Sequence, residues 1–168
     1  MKPFVTSVVL ALLGAGATLQ NFESFPIGST TVGYTVDGVA VAVKDTHVAD
    51  INGPASFKDR SLSTLDPTCP CAPRMPTVVT FTPPVSMVAV SMTTSTGYAN
   101  VLPAVQCVST DGNNWTFGLK YETTGSWPHT RARSGSAGFA PDPSDTSGPK
   151  ISECSFVDGD FDNLYTTP

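Results

Sequence analysis

The sequence predicts an all-β protein, an antiparallel β-sandwich of the jelly-roll type, on three observations. Short stretches rich in Val, Thr and Phe recur along the chain, each bounded by Gly, Pro, Asn or Asp. Several alternate apolar and polar residues, the period of a pleated strand. No stretch sustains the 3.6-residue period of an amphipathic helix. Strand after short strand with nothing helical between them is the pattern of a sandwich or jelly roll.

At the N-terminus, Lys2 precedes an uncharged run, FVTSVVLALLGAGA, that ends in small residues with Ala15 and Ala17 at A-x-A spacing. This reads as a secretory signal peptide over residues 1–17, leaving one domain over residues 18–168 and an extracellular location. The run is short for a bilayer, and no later stretch approaches the ~20 residues of a spanning helix, so no membrane span is expected. Without Lys2 the balance is 8 basic against 14 acidic residues, or −6. Nucleic acid is an unsuitable partner, since its phosphates call for clustered cations and the only basic cluster is Arg131 and Arg133 beside His129.

Along the chain, Leu19–Phe25 reads as a strand, Pro26-Ile27-Gly28 as a turn, and Gly38–Lys44 as a strand with Val39, Val41 and Val43 on one face. Asn52-Gly53-Pro54 is a strong turn signal after His47. Residues 63–76 form a proline-rich loop. In Thr77–Thr93, Val79 and Phe81 alternate with threonines, Pro83-Pro84 predicts a corner, and Val85–Met92 reads as a second strand, apolar on both faces and so central. Tyr98–Thr110 is strand-like, and Asp111-Gly112 predicts a hairpin into Trp115–Tyr121. Residues 123–149, rich in Gly, Ser, Pro and Asp, are a long loop or hold a pair of short strands around Ala137–Ala140. Ile151–Val157 and Phe161–Tyr165 predict a closing hairpin around Asp158-Gly159.

Four cysteines behind a signal peptide imply two disulfides. Pairing Cys69 with Cys71 would close a very small ring across Pro70, so each is expected to reach Cys107 or Cys154. A metal site on Cys69 and Cys71 with His47 or His129 is the alternative, but the second closely spaced ligand pair usual for zinc is lacking.

The opening Asn21-Phe22-Glu23-Ser24, then Pro26-x-Gly28 and Gly38-Val39, resembles the start of secreted jelly-roll domains of the galactose-binding-like and carbohydrate-binding-module group. Thr80-Phe81-x-x-Pro84-Val85-Ser86 resembles their middle, and Phe161-Asp162-Asn163-Leu164 their last strand. The resemblance implies that the first and last strands lie close together and that a carboxylate from each, here Glu23 and Asp162, holds a structural Ca²⁺, with backbone carbonyls and Asp45 completing the 6 to 8 oxygens a hard cation takes. Asp158, Asp160 and Asp162 also have calcium-loop spacing, without the later glycine and glutamate of an EF-hand. An exposed hairpin explains them as well.

Catalytic signals are weak. Glu23, Glu122 and Glu153 are the only glutamates, nothing marks a pair of them, and no serine sits in G-x-S-x-G. Binding is better supported. Trp115, Tyr121 and Trp127 lie near Asn113, Asn114, His129, Arg131 and Arg133, aromatic faces and short polar groups of the kind that hold sugars. Trp115, Phe117, Leu119 and Tyr121 share one strand face, a core pattern. Trp127, before Pro128, is the better ligand residue. The expected function is a secreted, non-catalytic module binding extracellular or cell-wall carbohydrate through Tyr121, Trp127, His129, Arg131 and Arg133. The alternatives are a structural or host-interacting secreted protein and a small hydrolase. Asn114-Trp115-Thr116 is in addition a glycosylation sequon, meaningful only in a eukaryotic host.

Overall fold

A computed structural model describes residues 18–20, 22–50, 60–64, 76–93, 102–119, 134–141 and 147–168. Among these residues there are twelve strands and no helix: β1 (Thr18–Gln20), β2 (Val32–Val36), β3 (Val39–Lys44), β4 (His47–Asp50), β5 (Arg60–Ser63), β6 (Thr77–Val85), β7 (Met87–Thr93), β8 (Ala104–Ser109), β9 (Asn114–Gly118), β10 (Ser134–Phe139), β11 (Ile151–Val157) and β12 (Asp160–Thr167). Sheet A has the order β10-β7-β12-β5-β4, with β1 also beside β12. Sheet B has the order β2-β3-β6-β11-β8-β9. The two pack as a sandwich over one core, which Val41, Phe81, Cys154 and Phe156 enter from sheet B and Val48, Leu62, Met92 and Phe161 from sheet A.

From β5 onward the pairing is nested: β5 with β12, β6 with β11, β7 with β10 and β8 with β9. A strand ribbon folded in half and wrapped around itself has this order, which is consistent with the jelly-roll type. The first and last strands are neighbours, with Leu19 opposite Tyr165.

Local sequence explains most strands. β3 buries Val39, Val41 and Val43 and exposes Ala40, Ala42 and Lys44. In β9, Trp115 and Phe117 pack against the core from between exposed neighbours, as a core face requires. The Asp111-Gly112 turn does join β8 and β9 as a hairpin, with Gly112 at φ 83°, where a side chain would be strained.

Several expectations are corrected. Pro83 and Pro84 do not end the strand, because β6 runs through them to Val85. They are tolerated where the β6–β11 register jumps from Glu153↔Thr80 to Ile151↔Val85, so no ladder bond asks for their missing N–H. The second strand, β7, is interior as expected, flanked by β10 and β12 and buried on both faces. The opening strand stops at Gln20, and residues 22–25 turn instead, with Phe22 in the core. Among the described residues of 123–149 there is one strand, β10. Asp158-Gly159 is not a hairpin: β11 belongs to sheet B and β12 to sheet A, so the turn crosses between sheets. Thr64 receives that crossing, donating its N–H and Oγ1 to the Gly159 carbonyl at 3.0 Å and accepting the Gly159 N–H at 2.9 Å.

The cysteine pairing also differs. Cys107 and Cys154 are direct partners on adjacent β8 and β11, with Cα atoms 4.1 Å apart, and form a disulfide with each other. The expectation that each would bridge to Cys69 or Cys71 fails because nested pairing puts β8 and β11 side by side. Cys69 and Cys71 themselves lie outside the described residues. Proteolysis without reduction should yield a Cys107–Cys154 cross-linked peptide, and replacing both cysteines by serine should cost about 2–5 kcal/mol of stability. A peptide joining Cys69 or Cys71 to Cys107 would contradict the pairing.

Candidate functional site

Alternation along β12 sets the site. Phe161 faces the core and stacks on Phe156 at 4.6 Å, so Asp160 and Asp162 point to the outer face of sheet A. Register carries a polar row across the sheet: His47 on β4 pairs with Ser63 on β5, Ser63 with Asp160, and Asp160 with Thr93 on β7, which β10 joins at Ser134. The next row holds Ala49 opposite Ser61, and Asp162 opposite Ser91, which in turn faces Ser136. The exposed hairpin expected around the aspartates is therefore corrected, since Asp160 is 1% and Asp162 0% exposed. Both are engaged by partners, among them the Asn163 amide, which donates to Asp162 Oδ2 at 3.2 Å. Ser61 is also fully buried, and among the described residues its Oγ has no hydrogen-bond partner.

Beyond a bulge at Asn163, whose φ is 51°, the outer face changes character. Tyr165 lies half-buried opposite Ala89, and Gly138 flanks Ala89 on the other side. The outer face thus joins an aromatic ring with small neighbours to rows of hydroxyls and carboxylates. Its half-buried members, Tyr165, Ser91 and Ser136, can stack a ring and hydrogen-bond to its substituents, while the carboxylates lie beneath the surface. Sequence reading overlooked Tyr165, Ser61 and Ser91. The alternation of Asp160, Phe161 and Asp162 was the signal that could have found this face.

Of the expected ligand-binding residues, Tyr121, Trp127, His129, Arg131 and Arg133 lie outside the described residues. The chain that bears them joins β10 at Ser134. The three proposed calcium ligands are described, and they do not form one group: among the described residues no set of three or more His, Cys, Asp or Glu could hold a metal. Asp45 is exposed, at φ 57°, with its carbonyl accepting from Thr77 Oγ1 at 2.8 Å. Glu23 is served by Arg60 of β5. The Arg60 N–H donates to Glu23 Oε1 at 3.1 Å, while Nη1 donates to the carbonyls of Glu23 and Phe25, each at 2.7 Å. Those carbonyls, which calcium would recruit, already face a guanidinium. Glu23, Asp45 and Asp162 therefore do not make up one donor set.

Phe25, held by this clamp, packs between Phe22 and Tyr34. The Tyr34 hydroxyl is buried with no hydrogen-bond partner among the described residues, and burial pushes its pKa above the usual phenol range. At the far end of the molecule, the exposed Asp111 carboxyl is held below its ordinary range, first by the Ser109 hydroxyl and then by the Asn113 N–H. This is turn stabilisation, with Asn113 Nδ2 adding a bond to Asp111 Oδ2 at 2.7 Å.

Comparison with protein-family models, curated proteins and solved structures finds no match. Among the described residues no helix is long and apolar enough to cross a membrane, and the disulfide is compatible with an extracellular protein.

Two outcomes are expected. Arg60→Met should lower stability by about 2–3 kcal/mol, the order of hydrogen bonds to a charged group, while EDTA should leave the wild-type melting temperature unchanged. A chelator-induced drop would reveal a resident cation. Tyr34→Phe should leave stability equal or raise it by up to about 2 kcal/mol, since it removes an unsatisfied buried hydroxyl. Because the folded pKa is raised, the neutral phenol's contribution is complete below the unfolded value near 10 and is lost as pH rises above it. The variant's melting temperature should fall less steeply above pH ~10.

Proposed function

We propose that this protein is a secreted, non-catalytic module that binds extracellular or cell-wall glycan. The observation that carries the reading is the outer face of sheet A, where half-buried Tyr165 lies on the same face as Asp162, Ser91 and Ser136, with Ala89 and Gly138 beside the ring. Sugars offer C–H faces to aromatic rings and hydroxyls to short polar side chains, and Tyr165 with the half-buried Ser91 and Ser136 supplies both, over the buried Asp162. The chain's net charge of −5 favours neutral over anionic glycans. Trp127, His129, Arg131 and Arg133, which lie outside the described residues, are proposed as further contacts.

One observation favours a second reading, glycoside hydrolysis. Asp160 and Asp162 are carboxylates on one strand face, about 6.6 Å apart along it, and glycosidases place their pair roughly 5–10 Å apart. Their burial leaves no evident route for substrate between them, which is why binding is preferred.

A glycan array with the disulfide-intact protein, followed by titration of variants, tests both. Tyr165→Ala should weaken binding about 5- to 150-fold, the equivalent of roughly 1–3 kcal/mol of aromatic burial. Trp127→Ala should weaken it comparably. Release of reducing sugar that Asp160→Asn abolishes would establish the hydrolase instead. Failure to bind any glycan would favour a structural or host-interacting protein.

A further inference from the structure

Asn114-Trp115-Thr116 is the only Asn-x-Ser/Thr sequence in the chain. The fold treats its three residues differently. Trp115 packs half-buried against the core, while Asn114 and Thr116, on the opposite side of β9, are exposed. The preceding residue, Asn113, is tied to Asp111, whereas the Asn114 amide makes no hydrogen bond among the described residues. The acceptor amide and the hydroxyl two residues on therefore project together into solvent, anchored from behind by an indole.

We propose that Asn114 is the acceptor of an N-linked glycan. In the reaction, Asn114 Nδ2 forms a bond to the anomeric carbon of an oligosaccharide carried on a polyprenyl pyrophosphate. The C–O bond to the pyrophosphate breaks, the lipid pyrophosphate leaves, and the amide gives up one proton to a base of the transferase.

The position also gives the modification a physical role. β9 ends sheet B, and among the described residues no strand pairs with its outer edge. Edge strands are usually protected by charge or proline, but Asn-Trp-Thr-Phe-Gly has neither. A hydrated oligosaccharide at the first residue of β9 obstructs edge-to-edge pairing with another copy. Acceptance of a glycan at Asn114 does not depend on whether sheet A binds one.

The test is secretion of the full chain from a eukaryotic host, with mass analysis before and after peptide N-glycosidase. The expected result is a mass loss on treatment and conversion of Asn114 to aspartate in its tryptic peptide. Asn114→Gln and Thr116→Ala should both abolish the glycan, and Thr116→Ser should retain it, which separates loss of the sequon from misfolding. More aggregate in secreted Asn114→Gln than in wild type is expected. Secreted wild-type protein with the Cys107–Cys154 disulfide and an unmodified Asn114, or a glycan that persists in Asn114→Gln, overturns the proposal.

Discussion

Phe156 and Phe161 stack across the sandwich, and the placement of this pair determines much of what surrounds it. The rings come from strands in different sheets, separated in sequence by a four-residue connection whose middle is Asp158-Gly159. To bring both rings to the core, the chain must leave sheet B after Val157 and begin sheet A at Asp160. Gly159 is fitted to that crossing. A Cβ there would lie 2.8 Å from the Thr93 carbonyl oxygen and 2.5 Å from Pro103 Cβ, both closer than real side chains come. Once Phe161 is fixed inward, Asp160 and Asp162 must face outward, and the polar rows of sheet A follow from register alone. On the other side of the crossing, Phe156 inward leaves Cys154 inward as well, opposite Cys107, where the disulfide closes.

The two outer faces of the sandwich have different fates. Sheet B exposes Gly33, Thr35, Ala40, Ala42, Gln106 and Thr116, the usual solvated side of an antiparallel sheet. Sheet A, on the corresponding side, buries Ser61, Ser63, Thr93, Asp160 and Asp162. Burying carboxylates is costly unless they are paired and hydrogen-bonded, and both aspartates are engaged. Stability alone would be served as well by aliphatic side chains in those rows. Their retention at the side of an aromatic ring marks the place where the sequence departs from what packing asks, the kind of departure associated with function.

Alternation was legible wherever one face meets the core. Val39, Val41 and Val43, and Trp115 with Phe117, declare their strands and faces from local sequence. Sheet membership was not legible, because Asp158-Gly159 and Asp111-Gly112 carry the same turn chemistry although one crosses between sheets and the other closes a hairpin. Cystine partners depend on which strands become neighbours, a long-range property that the Cys69-Pro70-Cys71 spacing does not encode. Pro83 and Pro84 punctuate a strand only if their N–H positions face a ladder, and here a register jump removes that requirement. For the site, the motif Phe161-Asp162-Asn163-Leu164 was visible, but its meaning rested on neighbours: Ser91 and Ser61 come to the same face from strands far away in sequence.

The treatment of Glu23 shows how a short motif can be kept while its physics changes. A carboxylate in the opening turn and backbone carbonyls around it are what a hard cation seeks. Here the Arg60 backbone N–H meets the carboxylate, and one nitrogen of its permanently charged guanidinium, Nη1, donates to both carbonyls. A covalently attached cation needs no binding equilibrium, so the tie between the opening turn and β5 does not depend on the surrounding ion concentration, unlike a metal that stabilises by mass action. β1 lies beside β12 and the turn at residues 22–25 is held to β5, so both are fastened to sheet A. The start of the domain thereby reinforces the strand that carries Asp160, Asp162 and Tyr165. The proposed binding face would gain from that rigidity, because a floor that shifts with each encounter loses affinity to ordering.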